Sequence, residues 1–432
     1  MPISEPFWWE DAGPPASPPL DALPAEVDVL VVGAGLTGLT AARTLARRGR
    51  SVLVADAGPP AIGASSRNGG MVLAGHRQSL DHFESRYGTD LGHRMLREAH
   101  VDMIRHLEDL MAEERIACDF ARTGRFKGFW RPSEYDKAGR EIERLARIVP
   151  MEAELIPRAR QGEEIATDLY SGGVVYRNAA ALNPAKWVFG VLAAARRAGA
   201  VVAGETPVLG LERDGTGWRA STPRGPIRAG EVLVATNGYT PAHLAGLKRR
   251  IIPVPSFIVA TEILGENRVR SLIPKLRTIG ETRDRHCYYR PSPDGRRIVF
   301  GGRAAMFEVS EGAALAQMRG LLSQVFPELS DVGITHSWRG RTGFTFDFVP
   351  HVGRIDGLWH AMGYSGSGNA MAPWLGHKAA LQMIGDPDGE TAFSRTPFST
   401  RWWHRGTAWF LPVVDIGFRW KDVRNNLRRG RG

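Results

Sequence analysis

The sequence predicts an α/β chain with an α+β, two-domain layout, in which a doubly wound domain is joined to a discontinuous, mainly antiparallel β domain carrying helical insertions. Three observations predict it. Residues 27–58, VDVLVVGAGLTGLTAARTLARRGRSVLVADAG, pass from an apolar strand through glycines into an amphipathic helix closed by Gly49, then into a second apolar strand from Ser51 to Ala55. Residues 250–303 again read as strands, with the turn SPDG at 292–295. The length of 432 residues exceeds the roughly 300 at which single cores stop growing.

Before the first strand, residues 1–26 are rich in Pro and acidic side chains and read as an arm over the surface. Apolar positions recur at helical spacing in 91–117 and 134–148, which predicts a helical insertion; 151–180 is strand and turn material. A helix over 183–198 starts at Asn183 and Pro184 and stops at Gly199, short strands follow to 234, and a last helix covers 369–384. The expected division is an arm at 1–26, a first domain from 27–88, 152–245 and 337–390, a second from 89–151 and 246–336, and a tail at 391–432.

Composition narrows the function. Only Cys118 and Cys287 occur, far apart, so a disulfide framework, a redox dithiol and a thiolate zinc site lack support, and no metal is expected. Redox chemistry here needs another carrier. No apolar run approaches the roughly 18 residues of a spanning helix, and the first residues lack a secretory pattern, so the expected address is the cytoplasm. Residues 401–432 hold eight Arg or Lys against two Asp, so this tail supplies six of the ten net positive charges. It is a candidate for peripheral contact with an anionic membrane face, with a solvated end as the alternative. No nucleic-acid motif occurs elsewhere, so no nucleic-acid partner is expected.

Gly33, Gly35 and Gly38 form G-x-G-x-x-G after a strand and at a helix start, the Rossmann-like arrangement. Gly33 permits the tight turn, Gly35 lets backbone approach a pyrophosphate, and Gly38 lets helix pack on strand. Asp56, 23 residues after Gly33, ends the second strand, where a carboxylate can accept from a ribose hydroxyl. FAD and NAD share this half. GASSRNGG at 63–70 brings small residues and glycines whose amides can meet a flat ring. GYSGSGN at 363–369 is a second glycine loop entering a helix, whose dipole stabilises negative charge. Two glycine loops around one cofactor suit a flavin.

These residues, with ATNGYT at 235–240 and WRGRTGFTFDFVPHVGR at 338–354, resemble the D-amino-acid-oxidase-like superfamily of FAD enzymes, which includes glycine oxidase and sarcosine oxidase. The aromatic N-terminal arm, GASSRNGG and T-x-D-x-x-P-x-x-G at 345–353 are similar to its γ-glutamylputrescine oxidase-like branch. The resemblance spans about Val27 to Gly385. It implies an FAD-binding domain, a β-sheet substrate domain over the flavin, and oxidation of a primary or secondary amine by hydride transfer to the flavin. The resulting imine hydrolyses to an aldehyde or keto product. Implied cofactor contacts are Gly33, Gly35, Leu36, Thr37, Gly38 and Asp56; Ala64, Ser65, Ser66, Asn68, Gly69, Gly70 and Met71; Val208, Ala235 and Thr236; and Gly363, Tyr364, Ser365, Gly366, Ser367 and Gly368.

Two departures from the family pattern bear on substrate and acceptor. The arginine that pairs with an amino-acid carboxylate falls at Thr342, and Arg341 next to it points to the opposite face of a strand. This favours an amine without an α-carboxylate; a D-amino acid or glycine-type enzyme, or a non-catalytic flavin protein, is the alternative. The lysine of sarcosine oxidase falls at Val299, so the electron acceptor is oxygen or another carrier. Cys287 does not match a flavin-linking position and the 63–70 loop has no histidine, so non-covalent FAD is expected. Arg67, Arg303, Thr342 and His351 are the candidates for substrate positioning. Salt-bridge roles are open for the arginines, and a core role for His351 and Trp338. Tyr288 and Tyr289 alternate on a strand, so at most one lines the pocket.

Overall fold

The computed structural model describes residues 2–15, 22–73 and 75–429. Two eight-stranded sheets organise it. The first orders His351–Ile355, Leu358–Met362, Ile227–Val234, Glu26–Val32, Val52–Ala55 and Val201–Ala203, with a hairpin of Gly210–Asp214 and Gly217–Ser221 added to Ile227–Val234. Its central pairings are parallel, so its strands are buried on both faces and read as continuous apolar runs. Helices Leu36–Arg47, Pro184–Arg197, Met103–Glu114 and Gly368–Met383 contribute to the core on one face. Asn183 caps Pro184–Arg197 by accepting from the Ala185 and Lys186 amides, as its position before Pro184 predicts.

The second sheet orders Ile334–Phe344, Ile252–Thr261, Ile298–Gly302, Cys287–Pro291, Thr278–Glu281, Arg125–Gly128, Gly173–Tyr176 and Ala153–Ile156. All its pairings are antiparallel except Thr278–Glu281 with Arg125–Gly128. One face packs on helices Glu266–Leu272 and Glu311–Val325 through Phe257, Ile279, Tyr289 and Phe300. The opposite face looks across to the glycine loops.

Sheet membership departs from the expected borders. Strands Ala153–Ile156, Gly173–Tyr176 and Ile334–Phe344 lie in the second sheet, because they hydrogen-bond to its members rather than continuing the parallel sheet. The arm is folded rather than laid over the surface. Ile3 bridges to the edge strand through Ile3 N to Thr335 O at 2.8 Å and Ser337 N to Ile3 O at 2.9 Å, and Trp8 opens a short helix, Trp8–Ala12, with its indole fully buried. The tail packs as well. His404 and Leu411 are buried, and Leu411–Arg429 is a helix rather than a solvated end. Residues 430–432 lie outside the described residues.

Candidate cofactor and substrate site

Strand Glu26–Val32 runs into Gly33, whose φ of +107° suits only glycine. A Cβ on Gly38 would stand 2.0 Å from the Gly33 carbonyl oxygen, so this glycine seats the helix on the turn. No side chain caps the helix at Gly35, and the Leu36 amide takes Ser65 Oγ at 3.1 Å. The positive helix end therefore faces open space, as an anion site requires. Asp56 ends the next strand; its carboxylate accepts from Ala34 N at 2.7 Å and Gly58 N at 3.1 Å, leaving one lone pair on each oxygen. Burial pushes its carboxyl up, against the pull of the Ala34, Gly58 and Ala57 amides.

The 63–70 loop is one helical turn, Ala64–Arg67, held from behind by two indoles. Trp338 Nε1 donates to the Arg67 carbonyl and Trp8 Nε1 to the Asn68 carbonyl, both at 2.8 Å. Because C=O and N–H point oppositely in a trans peptide, this turns the Asn68 and Gly69 amides forward. Asn369 Nδ2 donates to Asn68 Oδ1 at 2.9 Å and so ties the loop to the start of Gly368–Met383. In the second glycine loop, Tyr364 accepts from Thr37 at 2.7 Å and donates to the Ala361 carbonyl at 2.8 Å, fixing that loop against the first helix.

Gly33, Gly35, Leu36, Thr37, Asp56, Ala64, Ser65, Asn68, Gly69, Met71, Val208, Ala235, Thr236 and residues 364–368 line one continuous cavity of about 1450 Å³. Four expected contacts shape it from outside. Gly38 packs as above; Ser66 is fully buried and turns back to Gly63; a Cβ on Gly70 would stand 2.2 Å from the Leu182 carbonyl oxygen; and Gly363 donates to Asn237 Oδ1 at 3.0 Å.

The candidates for substrate positioning separate. Arg67, Arg303 and Thr342 line the cavity, but His351 does not. His351 is buried behind it, 3.2 Å from Asp347 and 3.0 Å from Thr396, and stacks on Phe398 at 4.5 Å, because its strand is at the edge of the first sheet and the C-terminal segment covers it. Trp338 is a core aromatic. Arg67 donates to the Ile62 carbonyl and lies 4.8 Å over Trp9. Of the tyrosines, Tyr288 faces the cavity, with its hydroxyl 2.9 Å from Ser256 Oγ, while Tyr289 faces the helices. Cys287 shares that far face, fully buried against Arg283, and neither cysteine lines the cavity.

Motif reading missed the far wall of the cavity, where Arg77, Arg125, Lys127 and His286 stand. The alternation Arg125, Phe126, Lys127 was its signal, with Phe126 in the core and its neighbours on the opposite face.

A cavity larger than the roughly 300–1,000 Å³ of single-ligand pockets, entered at one end by a glycine turn and a strand-end carboxylate, defines a dinucleotide-binding enzyme with room for a second molecule. The family model described as FAD dependent oxidoreductase, DAO, matches residues 28–381. The chain belongs to that family: it is an FAD-dependent oxidoreductase. It is 30% identical over 387 residues to the probable oxidoreductase OrdL of Rhizobium meliloti, covering 89% of this chain and 90% of that one. It is 29% identical over 413 residues to gamma-glutamylputrescine oxidoreductase of Escherichia coli, covering 95% and 96%. In fold it resembles the crystal structure of glycine oxidase from Geobacillus kaustophilus, with a TM-score of 0.70 at 22% identity over 88% of this chain and 99% of that one.

Proposed function

We propose that the enzyme oxidises a primary or secondary amine by removing hydride from the adjacent carbon, giving an imine that water hydrolyses to an aldehyde or keto product. FAD, when bound, supplies the two-electron acceptor. The chain's own part is to hold the donor and exclude water, so no conspicuous acid–base pair is required. The observation that carries the reading is Thr342. It faces the cavity opposite Val254, where amino-acid oxidases of this superfamily carry a carboxylate-binding arginine. Arg341 does not replace it, being half exposed at the mouth and 3.3 Å from Glu308. The name of the Escherichia coli relative also supports an amine substrate. Oxygen or a separate carrier then takes the electrons; Val299, buried beside Trp338, puts no cation there to favour oxygen.

Anaerobic mixing with a panel of amines and amino acids, read as loss of flavin colour, tests this. Amines lacking an α-carboxylate should bleach the flavin faster than glycine or D-amino acids. Bleaching by the latter alone points to an amino-acid enzyme, and no bleaching at all to a flavin-binding protein without catalysis.

A second reading concerns the tail. Trp409, Val413, Ile416 and Trp420 recur at helical spacing, each at least 62% exposed, in a segment that also carries Arg419 and Lys421. Among the described residues no helix is long and apolar enough to cross a membrane. An exposed apolar stripe beside cations suits peripheral contact with an anionic bilayer. Co-sedimentation with phosphatidylglycerol vesicles, weakened by salt and by Trp409→Ser with Trp420→Ser, is expected. Equal recovery with and without vesicles overturns it.

A further inference from the structure

We propose that the cationic wall formed by Arg77, Arg125, Lys127 and Arg303 binds a carboxylate remote from the reacting amine, so that the preferred substrate is an extended amine with an acid at its far end. This rests on the amine reading above and narrows it.

Eight Arg or Lys side chains line the cavity against four Asp or Glu. The acids are largely committed elsewhere. Glu281 pairs with Arg283 at 2.7 Å, Glu308 with Arg339 and Arg341, and Asp56 lies at the strand end beside Ala34. Glu141 remains, accepting the Leu80 amide at 3.1 Å. Among the described residues, none of Arg77, Arg125, Lys127 and Arg303 has a carboxylate within ion-pair distance, and Arg125 Nε is buried with no hydrogen-bond partner.

The fold makes room for this wall. A Cβ on Gly280 would stand 2.1 Å from the Arg125 guanidinium, so glycine on the neighbouring strand lets Arg125 lie across it. Arg303 and Arg77 flank one ring, 5.0 and 5.9 Å from the centre of Phe344. Burial pushes the proton affinity of Arg125 and Arg303 down, and the charge of Arg77 adds to it in both; burial and then Arg125 do the same to Lys127, against the pull of Glu141 and Glu134. Like charges gathered away from bulk water oppose folding unless an anion joins them.

Sheet geometry sets the reach. Tyr288, beside Gly69, lies two strands from Arg125–Gly128, and strands are about 4.8 Å apart, so amine and acid are separated by about 10 Å. An α-amino acid cannot span that. The absence of arginine at position 342 and the presence of four cations farther off are then one specificity, with the acid recognised at a distance.

The test uses the holoenzyme and three probes under anaerobic conditions: butylamine, N-acetyl-1,4-diaminobutane and N-succinyl-1,4-diaminobutane. The succinyl compound should bleach the flavin with a kcat/KM at least tenfold above the acetyl compound. That ratio should fall at least tenfold in Arg125→Met and in Lys127→Met, each with flavin content measured to confirm folding. Glutarate should compete with the succinyl compound and raise the melting temperature of the unmutated holoenzyme, but not that of Arg125→Met. If all three amines bleach the flavin equally and glutarate does nothing, the remote subsite is wrong while amine oxidation stands. If none bleaches it, the amine reading itself fails; glutarate stabilisation through Arg125 would then still show the anion site.

Discussion

Asp56 shows how one side chain serves the turn and the ligand together. Its carboxylate already braces Ala34 and Gly58, and it retains acceptor capacity toward the cavity. Asp56→Ala should weaken FAD binding by about 1.5–3 kcal/mol, the worth of a charge-assisted hydrogen bond, which equilibrium titration of apoenzyme would measure. Unchanged affinity in a folded variant removes the ribose assignment. Asp347 is a different kind of carboxylate. Burial pushes it up, yet hydrogen bonding and charge from His351, with Thr345 and the Val349 amide, hold it at about 2. A carboxyl lowered in the folded state stabilises above its unfolded value of about 3.9, and that stability is lost as pH falls toward 2. The effect amounts to about 2 kcal/mol. Asp347→Asn should therefore lower the melting temperature at neutral pH and flatten its decline between pH 4 and 2. A variant with the same acid limb as the parent contradicts this.

At the scale of elements, the local signals were legible and the distant ones were not. The strand, glycine turn and helix from Val27, and the helix after Asn183, are written in neighbouring residues, so their caps and periods can be read directly. Arg125 and Lys127 could not be assigned in that way. Their strand pairs with Thr278–Glu281, some 150 positions on, and Arg-Phe-Lys alone reads as a strand with one face in water. Trp8 escaped for a similar reason, since a five-residue helix has too few turns to show a period. The arm's value is nonetheless specific. Trp8→Ala removes a fully buried indole and the donor that holds the Asn68 carbonyl, an expected loss of about 3–5 kcal/mol if the cavity does not collapse. Flavin should dissociate from this variant at lower denaturant concentration than unfolding requires, which parallel flavin fluorescence and circular dichroism would reveal. Coincident transitions would mean that the indole supports the fold as a whole and not the loop.

Across the whole molecule, the cofactor cavity is lined by residues of both sheets, so its occupancy should govern stability. A ligand bound only by the native state adds about 2.7 kcal/mol at a hundredfold excess over its Kd. Apoenzyme should accordingly melt below holoenzyme, and added FAD should restore the difference in a concentration-dependent way; a melting temperature indifferent to FAD would mean that the cavity does not hold it. The pairing of Ile3 with the strand around residue 336 carries a further consequence, for biosynthesis. More than 330 residues must leave the ribosome before the arm has a partner, and at roughly 5–20 residues per second that is tens of seconds. Throughout that interval Trp8, Trp9 and Phe7 are unsheltered and the ring-binding loop lacks the indole that braces it. Heavy use of chaperones early in synthesis, and late acquisition of flavin, follow from where the chain's first strand finds its mate.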